Sequence, residues 1–278
     1  MSARHRWPAM FALVPALLAL ATPGAQAAVS PGWAPAATAA VHPGTQTYTQ
    51  SSQCTANFVY VDGAGVYLGQ AAHCSSTDGN GETDGCKAHS LPIGTPVRVV
   101  GAKKPGIMVY NSWLAMQAAG EKDANTCAYN DLALVQLDPA DYGRVNPSIP
   151  VWGGPVGVNT TGTALGDTVY SYGNSSLRLG ITLVSPKKGV SVGDGGGGWS
   201  HTVYTVTPGI PGDSGSAFLD AAGHALGVLS TVAVLPLPAS NGVGDVGREI
   251  TYMQAHYNAG VSLADGTVPF KPNALPLG

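Results

Sequence analysis

Charged residues are scarce in this 278-residue chain, at 10% of positions against about 25% in an average domain. Basic clusters are almost missing, because the only adjacent lysines are Lys103-Lys104 and Lys187-Lys188 and the formal net charge is −3. A nucleic-acid interface needs clustered cations to neutralise phosphates, so we expect no nucleic-acid partner. The low charge, with 38 glycines and 21 prolines, also argues against a coiled coil or a helical array.

No apolar run approaches the roughly 20 residues that a membrane-spanning helix needs. The run at 10–21 is shorter, and 225–239 is interrupted by two prolines. The first run follows two arginines and precedes small residues ending at Ala27, which is typical of a secretory signal peptide. We therefore expect a signal peptide over 1–27 and a secreted, extracellular protein that contacts no membrane after cleavage.

Cysteines number only four, and all lie beyond the predicted cleavage point. An even count in an exported chain predicts two disulfides, for which three pairings are possible. A zinc site using Cys86 and His89 is the alternative, but the other cysteines do not cluster with this pair. We expect disulfides and no metal. The four residues are Cys54, Cys74, Cys86 and Cys127.

Short runs of β-forming residues, separated by Gly, Asn and Asp, recur from about Gln53 onward and predict an all-β, antiparallel fold. The only good helix candidate is Arg248–Asn258, and the glycine run 193–198 is predicted to be a surface loop. A connector rich in Gly and Pro separates two groups of strands near residue 150. The expected organisation is a leader at 28–52, a first strand unit at 53–150, a second unit with the terminal helix at 151–262, and a flexible tail at 263–278.

A serine lies in a tight turn between two predicted strands, in Gly212-Asp213-Ser214-Gly215. The flanking glycines permit a sharp bend, and the amides of Gly212 and Ser214 can point at one spot, as stabilising an oxyanion requires. Four such residues alone are usually just a turn. A serine nucleophile also needs a base and an orienting carboxylate. His73 ends one predicted strand and Asp131 begins another, and the three together are far more specific than any one.

Three segments, Ala71–Cys74, Asn130–Leu134 and Pro211–Ser216, resemble the trypsin/chymotrypsin family of serine endopeptidases, over roughly residues 53–259. The resemblance implies two antiparallel six-stranded β-barrels packed together with a short C-terminal helix, and an active site between the barrels. It also implies a monomer acting on protein or peptide substrates without a cofactor. The disulfides implied are Cys54–Cys74 and Cys86–Cys127.

The implied mechanism is acyl transfer through Ser214, with His73 as general base and Asp131 holding the imidazole. The amides of Gly212 and Ser214 would form the oxyanion hole. Ser230 resembles the family serine that supports the catalytic aspartate, and a plain strand serine is the equal alternative.

Two departures from the family concern specificity and activation. Pro208 stands where trypsin-like enzymes carry a pocket aspartate, and Val232 is expected to narrow the pocket entrance, which favours small or medium uncharged side chains. The chain also lacks an Ile-Val-Gly-Gly-like segment whose freed amine would reach Asp213, so another group must order the Ser214 turn.

Two other functions fit parts of this pattern. A catalytically silent protein that uses the same fold for binding is the main alternative, although it would have no physical need for a base and its orienting carboxylate. An esterase of the α/β-hydrolase type requires the order Ser, Asp, His. Here Ser214 comes last.

Overall fold

The computed structural model describes Met1 and residues 32–79, 82–232 and 239–273. The predicted signal peptide, apart from Met1, lies outside the described residues. Within them the chain forms fourteen strands and three α-helices. The strands are β1 Gln46–Thr49, β2 Ser52–Thr55, β3 Val59–Val61, β4 Val66–Ala71, β5 Pro96–Val99, β6 Gly106–Asn111, β7 Leu132–Gln136, β8 Thr168–Tyr172, β9 Pro186–Gly195, β10 Ser200–Thr205, β11 Ala217–Leu219, β12 Ala225–Val232, β13 Asn241–Asp245 and β14 Ser262–Leu263. The helices are α1 Ser112–Ala119, α2 Ala124–Tyr129 and α3 Val246–His256.

The first unit is an eight-stranded sheet with the order β14-β3-β4-β7-β6-β5-β1-β2. Strand β4 is buried along its whole length, and its apolar residues pair antiparallel with those of β7. The register sets Ala71 at the end of β4 opposite Leu132 at the start of β7. This pairing brings the segments that follow β4 and precede β7 together, and these segments carry His73 and Asp131.

The second unit is a closed barrel of six strands in the order β10-β13-β12-β11-β8-β9. The turn that contains Ser214 joins β10 to β11, and β12 pairs with β11 on one side and β13 on the other. The structure confirms the predicted fold class, an all-β pair of barrel-like units with a C-terminal helix. The first unit differs in detail, because its eight strands form an ordered ladder in place of six.

The two units share a continuous apolar core. One buried cluster contains Leu134 from the first unit together with Val228 from the second and Ile250 from α3. Trp152, which is fully buried in the connector, belongs to the same cluster and donates its indole N–H to the carbonyl of Ser171 at 2.8 Å. The residues behind the cleft between the units are therefore tightly packed. Among the described residues, no helix combines the length and apolarity that crossing a bilayer requires.

Both ends of the predicted organisation need correction. Strand β1 begins at Gln46, inside the predicted leader, because alternate threonines of Gln46–Thr49 are buried against β2 and β5. The described part of the predicted tail, residues 263–273, also packs, since β14 joins the first sheet and the Phe270 ring contacts Tyr170 edge-on with centroids 5.1 Å apart. Composition rich in small residues concealed both, and the partner of β14, strand β3, is also far away in sequence.

Candidate active site

His73 and Asp131 form a hydrogen-bonded pair in the first unit. The Nδ1 atom of His73 lies 2.7 Å from Oδ2 of Asp131, and the His73 backbone N–H donates to Oδ1 at 2.9 Å. The carbonyl of Asp131 accepts from the backbone N–H of Ala72, also at 2.9 Å. Both the ring and the main chain of His73 are thus fixed against one carboxylate, and this arrangement leaves Nε2 as the nitrogen that can accept a proton.

The second unit contributes a further bond to the same carboxylate. Ser230, on β12, donates its hydroxyl to Oδ2 of Asp131 at 2.6 Å. Asp131 is only 3% exposed, so this bond stabilises a carboxylate that has lost most of its water. Of the two interpretations open for Ser230, the structure favours the support of Asp131.

The pKa of His73 is raised above its ordinary value. Burial pushes this pKa down, but the charge of Asp131 and the hydrogen bond to it together outweigh the burial effect. The side chain keeps 26% of its surface exposed, facing the cleft. A buried carboxylate beside an imidazole open to solvent can stabilise the cationic ring that proton transfer creates.

Ser214 and His73 line one cleft between the two units, with a volume of about 720 Å³. The first unit supplies Gln53 and Cys54 to its wall, and the second supplies the strand around Ser230. The backbone also joins the two units here, because the N–H of Thr55 donates to the carbonyl of Ser214 at 2.8 Å. The structure therefore brings the serine, the histidine and the aspartate of the sequence pattern to one place.

The peptide groups on both sides of Gly212 are held in defined orientations. The carbonyl of Pro211 accepts the hydroxyl of Ser175 at 2.5 Å, and the carbonyl of Gly212 accepts from Gln53 and Thr55 at 3.0 and 2.8 Å. In a trans peptide the N–H points opposite to the carbonyl, so the Ser175 bond also fixes the direction of the Gly212 N–H. Gly212 has a φ of +95°, which other residues adopt only with strain.

The Ser214 amide is fixed by the same principle. The carbonyl of Asp213 accepts both the N–H of Ser216, at 3.0 Å, and its hydroxyl. Within the described residues neither the Gly212 N–H nor the Ser214 N–H donates to a protein acceptor. Two oriented, unused donors beside a serine hydroxyl are what an oxyanion hole requires.

An internal cation cluster orders the Ser214 turn. Asp213 is fully buried and binds the Arg178 guanidinium through both carboxylate oxygens, with Nη2 at 2.6 Å from Oδ2. Lys187 lies 3.3 Å from the same carboxylate and donates to the carbonyls of Thr207 and Pro208 at 2.9 and 3.0 Å. The carboxylate of Asp213, which a freed amine would reach in the family, is thus bound by two internal cations, Arg178 and Lys187.

Opposing effects act on the pKa of the buried Lys187. Burial lowers the pKa of Lys187, and the neighbouring Arg178 lowers it further, while Asp213 works in the opposite direction. Arg178 and Lys187 carry no sequence motif of their own, because they lie far from Ser214 along the chain. The sequence feature that could have drawn attention to Arg178 and Lys187 is the scarcity of basic residues in this chain.

For Pro208 and Val232, the residues expected to set specificity, the structure shows their chain neighbours at the cleft. Gly209, which follows Pro208, and Thr231, which precedes Val232, line the cleft. The Pro208 carbonyl faces Lys187, as described above, and the Val232 side chain lies outside the described residues. The cleft near Ser214 also contains Leu177 and Ile210, which the sequence did not single out.

The cysteines are paired as the resemblance implied. Cys54 bonds to Cys74, which fixes the turn carrying His73 to β2, and Cys86 bonds to Cys127. Closing loops of 20 and 41 residues stabilises the fold by about 3–4 kcal/mol each on a loop-entropy model. The zinc alternative required thiolates, and these sulfurs are bonded to one another.

This chain is similar in structure to solved bacterial proteases. Thermobifida fusca Protease A aligns with 81% of this chain and 99% of its own, at 16% identity and a TM-score of 0.51. Nocardiopsis protease (NAPase) covers 80% of this chain and 98% of its own at 15% identity and a TM-score of 0.44. Cellulomonas bogoriensis chymotrypsin covers 81% and 98% at 18% identity and a TM-score of 0.45. No family model and no curated protein matches the sequence.

The chain therefore has the double-barrel fold of the trypsin/chymotrypsin-like serine proteases. In structure it is similar to bacterial proteases of that type, and the low identity explains why the short motifs carried the resemblance.

Proposed function

We propose that the protein is a secreted serine endopeptidase that hydrolyses peptide bonds through an acyl-enzyme on Ser214. The observation that carries the proposal is that His73 and Ser214 line one cleft, while the buried Asp131 fixes the His73 ring at 2.7 Å. This arrangement joins residues of both units, which a fold used only for binding has no reason to build.

Each group has one task in the proposed reaction. His73 accepts the Ser214 proton through Nε2 as the hydroxyl attacks the scissile carbonyl, and later gives that proton to the leaving amine. Asp131 keeps Nδ1 protonated and stabilises the cationic ring. The amides of Gly212 and Ser214 hold the oxyanion, which is worth about 3–4 kcal/mol of transition-state stabilisation for each donor. Water then hydrolyses the acyl-enzyme by the reverse sequence of proton transfers.

Substrate preference follows from the cleft around Ser214. Leu177 and Ile210 provide apolar walls, and the carboxylate of Asp213 is occupied by Arg178 and Lys187. Among the described residues of the second unit that line the cleft there is no carboxylate for a lysine or arginine side chain, and the Glu82 carboxylate lines the cleft from the first unit. We infer a preference for small or medium uncharged residues before the cleaved bond.

A peptide-library digest tests activity and preference together. The exported protein is expected to cleave after residues such as Ala, Val or Leu, and Ser214→Ala is expected to remove the cleavage. Asp131→Asn should reduce kcat by about 10⁴-fold, as is typical when the wrong imidazole tautomer is stabilised. Dominant cleavage after Arg, Lys or Glu contradicts the preference, whereas cleavage that survives Ser214→Ala contradicts the mechanism. Absence of cleavage with every peptide would favour the silent binding protein.

A further inference from the structure

Glu249 is a fully buried carboxylic acid that the proposed reaction does not use. It lies in the first turn of α3, which begins after the helix cap Asp245. The helix packs its buried face against the core shared by both units, and Ile250 and Met253 are members of that core. The position of Glu249 therefore depends on the same packing that builds the cleft.

The side chain of Glu249 reaches the catalytic aspartate from behind. Its Oε1 atom accepts the backbone N–H of Asp131 at 2.9 Å. The neighbouring backbone is held as well, because the Ser112 hydroxyl donates to the Asn130 carbonyl at 2.8 Å and accepts from the Leu132 N–H at 3.1 Å. Asp131 thus enters β7 with the peptide groups on both sides of it fixed.

A glycine leaves the space that this contact needs. A Cβ atom at Gly244, on β13, would lie 2.7 Å from Oε1 of Glu249 and 3.0 Å from the Tyr129 carbonyl. A Cβ atom cannot lie this close to the two oxygen atoms unless one of the groups moves. The strand therefore admits the Glu249 carboxyl only because residue 244 has no side chain.

The surroundings of Glu249 favour its uncharged form. Two aspartates face Glu249, namely Asp131 just before β7 and Asp245 at the start of α3. The phenols of Tyr60 and Tyr110 face it from β3 and β6, and within the described residues no cation pairs with it. Burial raises the pKa of Glu249 well above its usual range, and the two aspartates raise it further against the lowering effect of the Asp131 N–H. A charged Glu249 would put a second negative charge behind the His73–Asp131 pair.

We propose that Glu249 is a positioning residue that acts as a neutral carboxyl, holding the Asp131 peptide through Oε1 so that the Asp131 carboxylate faces His73. Its effect on catalysis rests on the proposed function, whereas its effect on Asp131 and His73 does not. Glutamine has the same shape and the same carbonyl acceptor without an ionisable group, so Glu249→Gln is the matched variant. Glu249→Leu removes the acceptor and keeps an apolar side chain of similar size.

The test compares these two variants with the wild type by NMR and by kinetics, on the whole exported chain. In Glu249→Gln, the His73 titration midpoint should stay within about 0.3 units and kcat within about threefold, because a charged neighbour would shift a pKa by far more. In Glu249→Leu, exchange of the Asp131 amide proton with solvent should accelerate at least tenfold. Its kcat should fall about three- to tenfold, the loss expected for one hydrogen bond.

Two results would overturn the proposal. A His73 midpoint that falls by half a unit or more in Glu249→Gln would show that Glu249 is charged in the wild type. Unchanged Asp131 exchange and unchanged kcat in a folded Glu249→Leu would show that the contact positions nothing. If Glu249→Leu does not fold, Gly244→Ala serves in its place, because the added methyl group displaces the carboxyl. If the wild type hydrolyses no peptide, the proposed function fails, but the NMR measurements still decide the role of Glu249.

Discussion

The hydroxyl of Ser230 donates to the Asp131 carboxylate at 2.6 Å, although the two residues are 99 positions apart in the chain. Asp131 belongs to the first unit and Ser230 to the second, so one hydrogen bond ties the carboxylate that orients His73 to the barrel that carries Ser214. Motion of one barrel against the other would stretch this bond. The hydrogen bond therefore couples the relative position of the two units to the geometry of the His73–Asp131 pair.

Removing this bond should weaken catalysis without unfolding the protein. Ser230→Ala leaves Asp131 with one donor fewer, so we expect kcat/KM to fall about tenfold, the lower end of the range for a hydrogen bond to a charged group. Ser262→Ala, a change of the same size at an exposed serine of β14, is the control and should be neutral. Steady-state kinetics on both variants checks this. Equal activity of Ser230→Ala and the control would reduce Ser230 to an ordinary strand residue.

Activity should rise with pH through the titration of His73. The base must be neutral to accept the Ser214 proton, and the pKa of His73 is raised because Asp131 outweighs the effect of burial. The midpoint of the acidic limb of kcat/KM should therefore lie above the ordinary histidine value of about 6.5. A pH series from 5 to 9 measures it. A flat profile, or a midpoint below 6, would contradict the assignment of His73.

The Arg178–Asp213 pair should be required for a competent Ser214 turn. Arg178→Ala leaves a buried carboxylate with Lys187 as its remaining cation, and breaking a buried ion pair destabilises a protein by about 3–5 kcal/mol. We expect a large drop in the denaturation midpoint and in kcat, with partial recovery in Arg178→Ala/Asp213→Asn. Because the cations are internal, acetylating the N-terminal amine of the purified protein should leave kcat unchanged. Loss of activity on acetylation would argue for activation by a terminal amine.

A second histidine should make stability depend on pH. His201 is fully buried and lies 2.6 Å from Asp194 and 3.1 Å from Asp245. Burial lowers its pKa, but hydrogen bonds and charges of the two aspartates raise it overall. A raised pKa means that the stabilisation is complete below about pH 6.5 and is lost as pH rises through the folded value.

The matched variant for this effect is His201→Gln, which keeps a polar side chain but does not titrate. The thermal midpoint of the wild type should fall between pH 6 and 9, and the variant should show a smaller fall over the same interval. Differential scanning calorimetry at three pH values measures both. Identical slopes in the two proteins would remove His201 as the source.

The sequence predicted the fold class, and it singled out His73, Asp131 and Ser214, of which the structure places the first two in hydrogen-bonding contact and sets His73 and Ser214 in one cleft. His73, Asp131 and Ser214 could be singled out because each lies in a short motif that is recognisable from its immediate neighbours in the sequence. Arg178, Lys187 and Glu249 were missed because their partners are 35, 26 and 118 positions away, and a lone charge in a sequence does not reveal what it faces.

The differences in secondary structure concern two helices and two strands, and their causes are local. Helices α1 and α2 were not expected, since α1 is apolar without a clear amphipathic period and is stabilised by the Asn111 side chain, which caps its first turn. The glycines at 193–195 belong to β9, although a glycine run was expected to form a loop, because pairing with β10 supplies the order that their side chains do not. Pairing with strands that are close in sequence, β10 for β9 and β2 for β1, decided both elements.

The central claim is that Ser214 is a nucleophile activated by His73, and covalent labelling with a fluorophosphonate tests it most directly. Mass spectrometry of the labelled wild type should find one adduct, on the peptide that contains Ser214. His73→Ala should label at least 100-fold more slowly, since general-base assistance contributes about 10²–10⁴-fold. An adduct on any other residue, or equal labelling after Ser214→Ala, would contradict the account.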